Sequence, residues 1–328
     1  MENRNYNIDL MKIMACLAVV GAHTFTPAIN GVNHVFYCLC IFCIPVFFMA
    51  NGYFVLSKKR TWKYFGLKIL KILKVTIIWN LIIFLVYIIL EQKIINLPLY
   101  VLKSLFTMEG YLGHFWFLGA LLILYLLALP LQLLLEKVGY RFVFVFLAVI
   151  CIVIELFSFF KGAPVQANIK QSFRIWTWLF YFVAGAKMRE ISKFIEEHIP
   201  VAFHMTLSCL WSVLIVVYQY FMGKYILNTI DFEYFYDSII VMIWCIMIFS
   251  LVTRIHLNEK CNRLIMKISP LTMGIFIIHR LLVVGIKHFW QVESSGDALL
   301  FFVVVTAFSG LIVFVCNTNR ITRQLISL

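Results

Sequence analysis

Apolar residues run along this chain in long unbroken blocks, separated by short polar connections. Ten blocks stand out: 8–28, 34–56, 69–90, 114–135, 142–160, 172–190, 200–222, 235–257, 268–288 and 298–317. Each is close to the length, about 17 to 25 residues, that an α-helix needs to cross ~30 Å of hydrocarbon. The blocks are continuous and do not alternate apolar with polar, as barrel strands would. The pattern therefore predicts an all-α fold: a polytopic membrane helix bundle of about ten transmembrane helices. Ser269 and Pro270 stand where the ninth helix should begin, a cap residue followed by proline at the first position.

Composition agrees with that pattern. Of the 328 residues, 63% are hydrophobic and 13% charged, whereas soluble domains run near half apolar and about a quarter charged. A single membrane domain over residues 1–328 is expected, with no soluble domain appended. No small-residue cleavage site follows the first block in "AHTFTPAING", so that block reads as a retained helix and not a signal peptide. Lys and Arg are distributed unevenly: with the N-terminus inside, 19 of the 28 fall on the inner side and six on the outer. The positive-inside tendency thus orients both termini to the cytoplasm, in a multi-pass protein of the plasma membrane. The nine Cys fall mostly within apolar blocks and read as small hydrophobes. The cluster "CLCIFC" at 38–43 lacks a His or carboxylate at ligand spacing, and no metal site is expected.

Charge is concentrated in residues 57–74, "SKKRTWKYFGLKILKILK". Lys58, Lys59, Arg60 and Lys63 come first, then Lys68, Lys71 and Lys74 at every third position. That spacing puts the last three on roughly one helical face. Anchoring on anionic lipid, at about 1 kcal/mol per basic residue, explains the cluster as well as a docking patch for a phosphorylated ligand does. The aromatic-interleaved basic surface of a soluble nucleic-acid binder is absent, so nucleic acid is not an expected partner.

Polar residues inside the blocks carry the candidate chemistry. The stretch "DLMKIMACLAVVGAH" holds Asp9, Lys12 and His23. Eleven residues separate Lys12 from His23, about three helical turns, so the two share a face and stand about 16 Å apart. Asp9 lies three residues before Lys12 and can pair with it. Lys12 is near enough to the helix start to snorkel, but His23 is not, and ionisable groups at such depth usually face a cavity or a partner. His279, in "SPLTMGIFIIHRLL", lies about 14 Å into the ninth helix and reaches a similar depth. Arg280, the next residue, points to another face. A neutral imidazole can take or give a proton, or attack an acyl carbon, so His23 and His279 are the catalytic candidates. Asp9 is too far along the helix to orient His23, and the orienting partner must come from elsewhere. Glu155 and Arg174 form a structural ion pair or a functional one. His114 and Trp116 open the fourth block at the outer interface, where Trp is at home as a belt residue. They are weaker signals, as are His34, His198, His204, His256 and His288.

These residues resemble those of a known family. "NRNYNIDLMKIMACLAVVGAH" is similar to the opening of the acyltransferase-3 membrane family, an Arg or Lys, ten residues, then His. "IPVFFMANGYF" supplies the Pro, aromatic pair, small polar residue and Gly of its second helix as Pro45, Phe47, Phe48, Asn51 and Gly52. The basic run from Lys58 to Lys74 precedes helix three, "HFWFLGALLILYLLALP" looks like the Trp-Phe segment, and "ISPLTMGIFIIH" gives Ser269, Gly274 and His279. The resemblance runs end to end and in order. Lys12 stands where Arg is commoner, Asn51 where Ser is usual, and lysines replace the paired arginines, giving point charges in place of planar forks.

The resemblance implies an enzyme that takes an acyl group, acetyl by default, from cytoplasmic acyl-CoA and passes it to a hydroxyl of a cell-surface or capsular polysaccharide. Acetyl-CoA would be the acyl donor, and the acceptor a glycan or lipid-linked glycan. Lys12, Lys58, Lys59, Arg60, Lys68 and Lys71 would grip the CoA phosphates, with the pantetheine arm running up the first helix toward His23. Asp9, Asn51, Trp116, Ser269 and Arg280 are structural or acceptor-side candidates, Asn51 and Arg280 as oxyanion donors. The chain either completes the transfer itself or hands over to a separate extracytoplasmic transferase. Residue usage rich in Ile, Lys, Asn and Phe points to a low-GC bacterium, which favours a capsule or cell-wall polysaccharide as acceptor. The runner-up is a transporter or flippase for a small polar or lipid-linked substrate, which membrane His residues would suit. Against it stands the lack of an internal repeat or of matched broken helices in two halves. A structural or sensory role leaves the two deep His residues unexplained.

Overall fold

The structure, a computed structural model, describes residues 4–25 and 31–326. Residues 26–28, the end of the first predicted span, lie outside the described residues. The helices are α1 (Tyr6–Thr24), α2 (Val32–Leu39), α3 (Cys43–Val55), α4 (Trp62–Glu91), α5 (Leu97–Phe106), α6 (Trp116–Val138) and α7 (Tyr140–Lys161). They continue as α8 (Ile175–His198), α9 (Val201–Met222), α10 (Ile239–Thr253), α11 (Glu259–Ile268), α12 (Thr272–Lys287), α13 (Ser295–Thr318) and α14 (Arg320–Arg323). No strand occurs among the described residues. The protein is an all-helical bundle of the membrane-spanning kind.

Each of the ten predicted spans contains a helix, but not every one is long and apolar. Among the described residues seven helical stretches could cross a membrane by length and composition: Val32–Val55, Trp62–Ile89, Gly113–Val138, Tyr140–Lys161, Val201–Leu227, Glu259–Lys287 and Ser295–Thr318. The helices α1, α8 and α10 fall outside that set. Charged residues occupy α1 and the second half of α8, and α10 has only 15 residues. Two boundaries differ from expectation. Ser269 does not cap a new helix: Asn258 caps α11 through its side chain, and Ser269–Leu271 form a tight turn leading into α12. Pro270 cannot donate a backbone bond, which explains the turn. Residues 97–106, which fall between the third and fourth predicted blocks, form α5, capped by Asn96 with proline in its first turn.

Close backbone contact organises the interior. A Cβ placed on Gly52 would lie 1.8 Å from the Phe182 carbonyl oxygen, and one on Gly185 would lie 1.9 Å from that of Met49. These two glycines let α3 and α8 touch, as small residues do at membrane helix crossings, and α8 is the helix against which α3 packs most extensively. Phe48 stacks on Trp178 in that interface, ring centroids 4.7 Å apart. A Cβ on Gly274 would meet Val313 at 2.5 Å, which sets α12 close to α13. Helix α1 packs against α3, α10, α12 and α13 and so lies inside the bundle. Helices α7, α9 and α13 turn large exposed side chains outward, among them Phe146, Phe157, Leu210, Val213 and Leu311. The Glu155–Arg174 ion pair is not formed. Glu155 accepts from the Tyr218 hydroxyl of α9, whereas Arg174 lies 3.8 Å from Glu233 and donates to that residue's carbonyl.

Candidate active site

The N-terminal end of α1 is held by Asn5, whose side-chain oxygen accepts from the amides of Asn7 and Ile8. One turn later Asp9 bridges Arg4 at 2.6 Å and Lys12 at 3.2 Å. The Lys12 ammonium lies 4.8 Å from the centre of the Phe54 ring. It faces a cavity of about 520 Å³, whose polar wall includes Arg4, Lys12, Asn51, Lys68, Lys71 and Ser269. Four cations, two of them bridged by Asp9, give this open, partly apolar space a positive lining.

The remaining basic residues go elsewhere. Lys58 and Lys59 line a separate cavity of about 400 Å³ with Lys187 and Arg189. Lys59 also pairs with Glu136 at 2.9 Å. Arg60 donates to the Phe54 carbonyl and stacks over Tyr64. Lys74 donates to Gln324 at 2.8 Å and lies outside both cavities. The predicted grip therefore divides, because residues before Thr61 precede α4 while Lys68 and Lys71 project from it. Asn51 is already engaged: its amide donates to the Phe47 carbonyl and its oxygen accepts from Tyr125 at 2.7 Å.

Three imidazoles gather farther along α1. The rings of His23 and His279 are 5.2 Å apart between centroids, and those of His279 and His114 are 5.4 Å apart. Packing of α1 on α12 brings the first two together, and His114 joins them from the turn Gly113–Phe115 that leads into α6. His114 Nε2 donates to the Ile277 carbonyl at 3.1 Å, and His279 Nδ1 donates to that of Ile275 at 3.1 Å. A carbonyl oxygen only accepts, so both of those nitrogens carry hydrogen. Arg280 does not point away from the site: its Nη1 lies 3.4 Å from His23 Nδ1 and donates to it. His114 Nδ1 and His279 Nε2 are buried and have no partner among the described residues.

A smaller cavity, of about 190 Å³, opens on this group and is lined by His23, His114, Trp116, Tyr37, Gln171 and Glu233 among others. Phe276 lines both this cavity and the basic one, and its ring lies 5.2 Å from that of His114. Burial raises the Glu233 carboxyl above the ordinary glutamate range, although Arg174 opposes the shift. Trp116 is not an interfacial belt residue: it is 7% exposed and packs on Trp178.

His23, His279, Arg280 and Trp116 thus converge at one end, and Lys12, Lys68, Lys71, Asn51 and Ser269 converge at the other, with Asp9 behind Lys12. Lys12 and His23 line different cavities, which meet at Phe276. The residue that sequence reasoning passed over is His114. It lies in a turn, where no helical periodicity reveals which way a side chain faces.

A family model described as an acyltransferase domain matches residues 5–318. The chain belongs to the acyltransferase-3 family. Membership makes it a membrane acyltransferase, and the matched segment contains both cavities' polar residues except Arg4. No curated protein and no solved structure matches the chain.

Proposed function

We propose that this acyltransferase takes an acyl group, acetyl by default, from cytoplasmic acyl-CoA and transfers it to a hydroxyl of a cell-surface or capsular polysaccharide. The observation that carries this reading is the pair of cavities sharing Phe276, one lined by four cations and the other by imidazoles. The excess of Lys and Arg orients the basic cavity toward the cytoplasm. Arg4, Lys12, Lys68 and Lys71 would hold the CoA phosphates, with the pantetheine arm running along the apolar wall toward Phe276. Lys58 and Lys59, which line a separate cavity, and Arg60, which stacks over Tyr64, stand outside that grip.

At the far end, His23 meets both reactants, since it lines the cavity and keeps part of its surface open. It serves the acceptor hydroxyl or the acyl carbon directly, with Arg280 holding its ring and His279 behind it. Trp116 and Tyr37 offer flat apolar faces on which a sugar ring can lie.

The test is proton NMR of surface polysaccharide from a deletion strain complemented with wild type or with His23→Ala. Acetyl signal restored by wild type alone supports the reading. Acetylation unchanged by the deletion counts against a polysaccharide acceptor and directs attention to transport.

A further inference from the structure

Hydrogen-bonding geometry divides the three imidazoles into a donor and two acceptors. His23 Nδ1 faces the Arg280 guanidinium, which can only donate, so neutral His23 carries its proton on Nε2. His23 therefore presents an N–H to the cavity side of its ring. His114 and His279 have the opposite arrangement. Each uses its N–H on a backbone carbonyl, and each leaves one basic nitrogen, His114 Nδ1 and His279 Nε2, buried and unpaired. Such an orphaned acceptor costs free energy and calls for an explanation. His279 lines neither cavity, whereas His114, 6% exposed, lines the one that holds His23.

We propose that His114 is the base that takes the acceptor's proton, and that His23 acts as a hydrogen-bond donor to the developing oxyanion. The inference rests on the transfer reading given above. The acceptor hydroxyl gives its proton to His114 Nδ1, and its oxygen forms a bond to the thioester carbon. The resulting oxyanion receives the Nε2–H of His23. The C–S bond then breaks and its electron pair leaves on the CoA sulfur. The proton held at His114 Nδ1 returns to that thiolate within the cavity that His114 lines. The products are the O-acyl acceptor and CoA thiol, and nothing else is consumed. An incoming hydroxyl also supplies the donor that His114 Nδ1 lacks.

The experiment compares wild type, His114→Gln and His114→Asn in proteoliposomes, with acetyl-CoA as donor and polysaccharide from the deletion strain as acceptor. Glutamine can keep an N–H on the Ile277 carbonyl but has no titratable nitrogen, and asparagine is a second packing control. His23, Tyr37, Asp231 and Glu233 also face this cavity, and His279 and Arg280 adjoin it, so pH–rate profiles are taken for His23→Ala as well. The expected result is a fall in kcat of about 10² to 10⁴ in both His114 variants, with the KM for acetyl-CoA unchanged and the acid limb of the profile lost. Either His114 variant transferring at more than a tenth of the wild-type rate with an unaltered profile would overturn the assignment. Absence of transfer by wild type would instead overturn the functional reading and the inference with it.

Discussion

Arg280 on α12 donates through Nη1 to Nδ1 of His23 on α1, across 3.4 Å and 257 positions of sequence. The contact holds the imidazole and selects its tautomer. A hydrogen bond to a charged group is worth about 1.5 to 3 kcal/mol. Arg280→Gln should therefore lower kcat about 10- to 100-fold with little change in KM for acetyl-CoA. Steady-state rates in proteoliposomes measure this, and a variant of wild-type kcat would remove Arg280 from the mechanism.

His23→Ala removes the one of the three imidazoles that is not classed with the buried interior. Transfer should fall by at least about 10² while protein level in the membrane stays normal. Immunoblotting alongside the acetylation assay separates lost chemistry from lost protein.

In the basic cavity, Lys12→Ala and Lys68→Ala should each raise the KM for acetyl-CoA about 5- to 30-fold, from about 1 to 2 kcal/mol of charge-assisted contact. The difference should shrink as salt is raised. Lys74 points to Gln324 instead of the cavity, so Lys74→Ala should leave KM unchanged. Equal effects at all three positions would mean a diffuse lipid-anchoring role.

Phe276 is the wall common to both cavities. Phe276→Ala should connect them and admit water to the thioester, raising acetyl-CoA hydrolysis relative to transfer. Thiol release measured with and without acceptor reads the ratio directly, and an unchanged ratio would show that the ring is not a barrier.

Gly185→Ala places a methyl group against the Met49 carbonyl and forces α3 from α8. Overpacking of this kind costs about 1 to 3 kcal/mol and should lower the unfolding temperature in detergent. Gly66→Ala on α4 meets nothing within 4 Å and should leave it unchanged. A Gly185 variant as stable as wild type would indicate that the crossing can relax.

Much of this protein was legible along the chain. Unbroken apolar blocks dictate membrane helices because hydrocarbon leaves backbone polar groups no other partner. Lys12, His23 and His279 stood out because ionisable groups are costly in such blocks. The ends of α11 and α5 were harder to read, since Asn258 and Asn96 are polar residues among many and act as caps only in the geometry they adopt.

Pairing across helices was not legible. Helical repeat puts Lys12 and His23 on one face, yet which cavity each one lines depends on the neighbours of α1, and Phe276 of α12 separates the two spaces. Arg280 follows His279 and should point elsewhere on an isolated helix, but a long guanidinium side chain reaches His23 once α1 and α12 are packed. His114 sits in a turn with no periodic signal and becomes conspicuous only when its neighbours are His279 and Phe276. The sequence by itself determined the helices, their apolar length and the residue types available for chemistry, because these follow from local periodicity and transfer to lipid. Tertiary structure alone decided which cations share a cavity and which imidazole nitrogens remain free, because those depend on contacts between segments far apart in the chain.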